Sequence, residues 1–564
     1  MPQMRIEERP LKIYDLSSEP ADGIKDQNEQ INQAPGEIKE SPIEQVRITV
    51  PTTDDPTLPV ITFRTCIMGP LINIVTSFAL QVFSYRRSGM GLSKPMVQIL
   101  VLLLGKLMAA KLPAKVVKFP GTKFEFSLNP GPFNIKEHVL ASIFATTGME
   151  ASQSIPIINV MKVFFRKNIS FLTSFFLVQT NQMIGYGLAG LFMKFLVDSP
   201  FMWWPLTLLD MSFYREALTY MKQAVKNQNK YNDIHNELMK KYETVPQWWF
   251  IVVIALSLAF ALFNTILHES EIQLPYWGIL VAILVPLVLL LPMGAIIATT
   301  GMNLSITLIS EMIMGYLSPG KPIANLAFVA YSGSTKIHAL SFLTEFKLAH
   351  YMKIPPKSMF IIQIVGALIT STTRLCTAWW ALGAIKDICV PDPKNIWACP
   401  SDMKTFNAAL TWGGVGPSRV FFPNGDYAVL YYFFIAGVIG PLIVWVLSNK
   451  FPEKKWIKLI NFPLIFSGPA MMPPMGSAHI ISFFVVAIIM NFIVYKKCNE
   501  WWNKRAYDFS NGLDTGVTLF SLVQMPLMLN RIYGPEWWGN QEQCPLVDCP
   551  TDPSVKNPNC PAVN

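Results

Sequence analysis

Charge is what this sequence has least of. Only 15% of its 564 residues are Asp, Glu, Lys or Arg, where a soluble domain carries about 25%. With 51% hydrophobic residues and a mean hydropathy of +0.34, the chain has too little polar surface to cover itself in water. A soluble enzyme is excluded on that ground. Cysteine is sparse, with eight in the whole chain, so no disulfide framework holds the fold together. Histidine numbers six, scattered, without metal-ligand spacing; neither HExxH nor a phosphate-cradling Gly-rich motif occurs. No metal, no cofactor and no enzymatic activity are expected. Residues 1–60 lack an apolar run long enough for a signal peptide.

What the chain has instead is long apolar runs. Nine stand out, at 63–85, 96–112, 170–197, 249–267, 276–299, 358–385, 428–447, 480–495 and 512–529. Each is about long enough for a hydrocarbon core of ~30 Å, the shortest with help from its flanks. The formal net charge of +9 is unevenly placed: residues 1–60 hold 12 acidic and 6 basic residues, and the excess of positive charge lies beyond them. There the basic residues sit in short turns between apolar runs, the pattern of cytoplasmic loops rather than of nucleic-acid binding. The 15 Trp, 17 Tyr and 37 Phe suit rings placed at headgroup level. The expected fold is all-α: a polytopic membrane helical bundle with broken or re-entrant helices.

The breaks are visible too. Residues 128–150 open on Asn129-Pro130-Gly131-Pro132, residues 302–317 carry Glu311 and end in Ser318-Pro319-Gly320, and 323–331 and 462–475 are too short or too interrupted to span. Lipid cannot satisfy an open backbone, so such segments are buried in protein or face a wet cavity. Transporters and channels share this habit. Basic residues at 450–458 and 496–505 mark cytoplasmic loops, which puts 386–426 outside and Lys347, Lys353 and Lys357 inside. Cys389 and Cys399 share the outer loop and can pair there. The pairing of Cys544, Cys549 and Cys560 stays open.

Five units follow. Residues 1–60 read as an acidic, disordered cytoplasmic tail, 61–214 as a first membrane part, 215–246 as a soluble helical loop, 247–530 as a second membrane part, and 531–564 as a Cys-containing extracellular tail. His235, in the soluble loop, reads as a surface residue.

Three patches could carry chemistry. In Asn129-Pro-Gly-Pro-Phe-Asn-Ile-Lys-Glu-His138 the prolines and glycine forbid a helix before about Phe133, and Glu137 and His138 then enter a membrane segment. An ionisable pair there is costly and usually functional; the structural alternative is an interfacial turn. In Glu345–Lys357, Pro355 and Pro356 end one helix and aim the next, as a gate or as a plain hinge. Glu311, His338, Arg374 and Arg419 are charges set among apolar residues. A carboxylate or imidazole in a wet cavity can carry a coupling proton, which makes Glu137, Glu311 and His338 candidates; spacing does not choose among them.

At these residues a resemblance becomes specific. Asn129-Pro-Gly with the following PFNIKEHVLASIFA, and Lys353-Ile354-Pro355-Pro356-Lys357 with the preceding LSFLTEFKLAHYMK, resemble the two signature motifs of the oligopeptide transporter (OPT) family, peptide clade, in plant-like form. TTDDPTLPVITF at 52–63, MWWP at 202–205, VPQWW at 245–249, WIKLIN at 456–461 and CPLVDCP at 544–550 extend it. The resemblance implies proton-coupled import of small peptides through a multi-pass protein of the plasma membrane, energised by the proton gradient, with glutathione and peptide- or chelate-bound metals as further cargo. Asn129, Pro130, Gly131, Glu137 and His138 would then line the path, with Lys353–Lys357 as gate or hinge. Two departures stand out. Lys357 replaces the motif's usual Arg, keeping the charge but not the planar fork. Near residue 214, MWWP runs almost directly into REALTYMKQ, and a block of several spans usual in the family is missing. The competing readings are a metal-chelate transporter, a shortened and transport-inactive form, and, weakest, an enzyme.

Overall fold

The computed structural model describes residues 41–529 apart from 42, 87–90, 119–124, 150–153, 209, 212–233, 391–395, 422–424, 426, 455–456, 458–459, 461–464 and 466–476. The expected pairing within 544–560 and nearly all of the Pro-rich stretch 462–475 lie outside these residues, as does the loop at 215–233.

Helix α1 (Phe63–Ser84) begins where the Thr62 side chain accepts from Thr65 N–H, and α2 (Lys94–Lys111) begins with proline in its first turn. Both starts follow the usual rule that an N-terminus needs a side-chain acceptor or a residue with no N–H to satisfy. Next come β1 (Val116–Lys118) and β2 (Glu125–Ser127), paired antiparallel with Val116 opposite Ser127. This ribbon of two three-residue strands is a local feature, and the all-α architecture stands. Helix α3 (Ile135–Thr146) is followed by α4 (Ser154–Asn159), which passes into a π-helical turn at Val160–Phe164, and then by α5 (Phe171–Leu196).

Beyond the junction stand the short α6 (Ile234–Met239), then α7 (Gln247–Leu267), α8 (Tyr276–Thr300), α9 (Thr307–Leu317) and α10 (Pro322–Val329). A π-helical turn at Ala330–Ser334 joins α10 to α11 (Thr335–Tyr351). Helix α12 (Pro356–Ala384), α13 (Pro400–Ala408), α14 (Tyr431–Lys450), α15 (Ser477–Ile488) and α16 (Asn499–Leu529) complete the described chain.

Among the described residues five helical stretches are long and apolar enough to cross a membrane: Phe63–Ser84, Gln247–Leu267, Tyr276–Thr300, Pro356–Ala384 and Ala428–Lys450. The other expected spans are helical but more polar or, at 480–495, shorter. Helix α2 carries Lys94, Lys106 and Lys111, and α5 carries Gln179-Thr180-Asn181-Gln182 at its middle. That tetrad is buried, so the polar side chains of α5 face protein and not lipid. Helix α5 is the centre of the bundle, held between α7 and α11 by small residues. A Cβ on Gly190 would stand 2.1 Å from the Phe250 ring of α7, and one on Gly185 would stand 2.6 Å from the Thr335 carbonyl of α11. Helix α14, by contrast, has no buried residue; its Phe, Ile, Val and Trp side chains point outward on every side.

Candidate functional site

Helix α3 is a half-helix. Its 12 residues rise roughly 18 Å, little more than half of a hydrocarbon core, and both ends are tied to other elements. At the N-terminus Asn134 forms a capping box with Glu137: its Oδ1 accepts from Glu137 N–H (2.9 Å), and Glu137 Oε2 accepts from Asn134 N–H (3.2 Å). The Pro-Gly-Pro run forbids an earlier start. Arg64 of α1 then inserts its guanidinium into the turn. Its Nη2 donates to both Glu137 carboxylate oxygens (3.0 and 2.9 Å), and its Nη1 donates to Asn129 Oδ1 (3.1 Å) and the Gly131 carbonyl (2.8 Å). Both members of the ion pair are fully buried. Asn129 in turn donates to the Ala109 and Leu112 carbonyls at the end of α2. Gly131 holds a φ of 132°, which a side chain would resist. His138 Nε2 meets the Gln98 carbonyl at 2.9 Å, so that nitrogen carries the proton.

The C-terminus of α3 ends inside the bundle. Its carbonyls are received by Asn73 Nδ2 (Phe144, 2.8 Å; Thr147, 3.2 Å), by Thr370 Oγ1 (Thr147, 2.6 Å) and, just beyond, by Arg374 Nη2 (Met149, 3.0 Å). Donors and a cation at a helix C-terminus match its exposed carbonyls and negative dipole end.

Beside this end runs the polar band of α5. Gln179 Nε2 donates to Thr372 Oγ1 (3.0 Å), Thr180 meets the Tyr331 hydroxyl (3.4 Å), and Thr335 donates to the Asn181 carbonyl (3.3 Å). Residues 330–334, the π-helical turn between α10 and α11, are all buried; such turns leave backbone groups free and recur at functional sites. Several side-chain atoms on these helices have no partner among the described residues: Gln179 Oε1, Asn181 Oδ1, His338 Nε2 and Arg374 Nε. A bilayer supplies no water to such groups, so a cluster of them marks a space that water or a ligand enters.

The second signature motif sits at one end of the bundle, where a latch joins it to the first. Lys353, at a φ of 57°, donates to His235 Nδ1 (3.0 Å) and to the Tyr351 carbonyl (2.8 Å). Lys357 pairs with Glu243, both exposed or nearly so. Tyr242 reaches the other way, meeting Lys136 of the first motif (2.7 Å) and donating to Asp54 Oδ2 (2.7 Å), while Lys136 pairs with Asp54 Oδ1 (2.7 Å). Residues 234–243 thus hold both motifs and the segment around Asp54 together. His235 is 3% exposed, which corrects its reading as a surface residue: the ring is wedged under Lys353. A cavity of about 620 Å³ opens beside the latch, lined by Asp198, Asn236, Phe250, Phe346, His350 and Ile354 among others.

Burial, then Lys353 and Lys347, hold the His235 imidazole down to about 3 from its ordinary 6.5. A depressed imidazole stays neutral when folded, so the latch is fully stable above pH 6.5 and weakens as pH falls toward 3. Each pH unit in that window costs about 1.4 kcal/mol. Protease cleavage around residues 234–246 of the purified chain is therefore expected to accelerate between pH 7.5 and 5, and His235→Gln is expected to flatten that dependence. The ion pair nearby makes a separate test. Lys357→Glu is expected to slow any transport cycle by about threefold, the modest scale of an exposed pair, and adding Glu243→Lys to restore it.

The remaining expected residues fall elsewhere. Pro130 is exposed at the mouth of α3, Ile354 is buried, and Pro355 and Pro356 are half-buried at the start of α12. Glu311 is half-buried on α9 and, among the described residues, has no cation partner; its backbone carbonyl accepts from Asn325 (2.7 Å). Arg419, expected among buried charges, is exposed at the end of a four-residue helix. Cys389 and Cys399 are joined as a disulfide. Asp402 lies beside them, but sulfurs bonded to each other offer a metal no thiolate. Sequence reasoning missed Arg64 and the polar tetrad of α5. The signal for the tetrad was present: four consecutive amide or hydroxyl side chains inside an otherwise apolar run.

Two stretches of the chain, 60–217 and 211–528, match the family model described as OPT oligopeptide transporter protein. They meet at the junction seen in the sequence. The chain is similar to Oligopeptide transporter 5 of Arabidopsis thaliana, 32% identical over 721 residues covering 93% of this chain and 96% of the relative. Oligopeptide transporters 1 and 2 of the same plant are also 32% identical, over 724 and 716 residues, with 93% of this chain covered and 96% and 97% of the relatives. Alignments of that length exceed the 564 residues present, so these relatives contain residues with no counterpart here.

Proposed function

The chain belongs to the OPT oligopeptide transporter family, and on that premise we propose that it carries small peptides across a membrane by alternating access, driven by protons. The match of both halves to one family is what carries this reading. The geometry supports it: a half-helix ends inside the bundle against a π-helical turn, next to buried polar atoms without partners, which is how transporters build a site at membrane depth. We place the coupling proton on Glu311, the expected carboxylate with no cation partner among the described residues, with His338 as the alternative carrier; Glu137 is engaged by Arg64. The latch at residues 234–243 serves as the gate on one side, and the plasma membrane is the proposed location. Glutathione and peptide- or chelate-bound metals are further cargo to test.

A second reading has its own observation. The alignments with the relatives are longer than this chain, the family model matches in two stretches that meet at 211–217, and α14 has no buried residue. A shortened, transport-inactive form fits both facts. Uptake of a labelled tetrapeptide by cells expressing the 564-residue chain, at external pH 5 and 7 with surface abundance measured alongside, separates the two. Uptake that rises at pH 5 is the expected result; normal abundance with no uptake favours the shortened, inactive form.

A further inference from the structure

Arg374 is an arginine placed where one is expensive. It lies in the middle of α12, is 7% exposed, and among the described residues pairs with no carboxylate. Among the described residues its one hydrogen bond is Nη2 to the Met149 carbonyl (3.0 Å), and its Nε has no partner. A guanidinium has five N–H donors in a planar fork, so capping α3 uses a small part of what it offers. A lysine would cap that carbonyl as well. His338 lies on α11, which packs against α12; it is 3% exposed, and its Nε2 also has no partner among the described residues. His338 is held by the close contact of α11 with α5 at Gly185, where its Cβ would stand 2.9 Å from an added Cβ. The edge of Tyr186 covers its ring at 6.4 Å. A rigid planar fork beside a fixed imidazole, both with unspent nitrogens, suits a planar anion able to take two parallel hydrogen bonds.

We propose that Arg374, assisted by His338, receives the C-terminal carboxylate of the transported peptide at the inner end of the half-helix. The inference rests on the peptide-transport reading and gives that site its specificity. A carboxylate there completes a buried cation that, among the described residues, has no counter-charge, and removes the cost of leaving it so. It also orients the peptide, since the C-terminal carboxylate can reach only one end of the polar band.

The test compares tetra-alanine with its C-terminal amide, two peptides without acidic side chains, in cells expressing the full chain. The wild type is expected to take up the free acid at least tenfold better than the amide. Arg374→Gln is expected to bring that ratio to about one, and His338→Gln to lower it severalfold. Should Arg374→Gln fail to reach the surface, Arg374→Lys keeps a cation for the α3 carbonyl and loses the fork; its ratio is expected to fall by at least threefold at normal abundance. Equal uptake of acid and amide by the wild type overturns the inference while leaving peptide transport standing. So does a ratio that survives Arg374→Gln, which would leave Arg374 as a cap alone. Uptake of neither peptide by the wild type at normal abundance overturns the transport reading, and this inference with it.

Discussion

Replacing Arg64 by alanine is expected to destabilise the protein by about 3–5 kcal/mol, the cost of leaving one member of a buried ion pair without the other. The reason lies in how much depends on this one side chain. Arg64 neutralises Glu137 and also holds Asn129 and the Gly131 carbonyl, so its loss frees the turn that fixes where α3 begins. Glu137→Ala is expected to cost a similar amount, because the stranded guanidinium is then the uncompensated charge. The double substitution Arg64→Met with Glu137→Leu is expected to cost less than either single one, since apolar pairs of similar volume replace buried ion pairs at little net loss. Thermal unfolding of the detergent-purified proteins measures all three. A double variant as unstable as the sum of the singles would show that the two residues do not act as a pair.

Glu311→Gln is expected to abolish the stimulation of peptide uptake by external acid. The substitution keeps the shape and removes the proton that a carboxylate can take up and release. The ratio of uptake at pH 5 to that at pH 7 should fall to about one, with a lower maximal rate and normal surface abundance, as fits a lost proton-transfer group. Glu137→Gln is expected to behave differently: lower abundance, because Arg64 loses its counter-charge, with the pH ratio of the surviving protein intact. If Glu137→Gln flattened the pH profile and Glu311→Gln did not, the coupling site would be at the first motif. If neither did, His338→Gln would be the remaining test of the three.

The sequence determined the class of this protein. Scarce charge, long apolar runs and Pro-Gly breaks lead to a helical membrane bundle by solvation alone, because a backbone in lipid has few ways to satisfy itself. The two motifs were legible for the same reason: prolines and glycines act locally and need no partner to be read. So was the break before Phe133, which the structure resolves as an N-cap at Asn134. Helix α13 and the small β-ribbon were not legible, since neither has a strong period of its own.

What only the tertiary structure decided is which charges meet. Arg64 and Glu137 are 73 positions apart, and His235 and Lys353 are 118 apart; no local pattern encodes either pair. His235 therefore looked like a surface residue and is buried, while Arg419 looked buried and is exposed. In an isolated segment each side chain is free to face water or headgroups. Packing removes that freedom, and at membrane depth an ionisable group must then find a partner, a cavity or a ligand. Glu137 finds Arg64, and Lys353 finds His235. Among the described residues Arg374 finds a carbonyl at the end of a half-helix and no carboxylate.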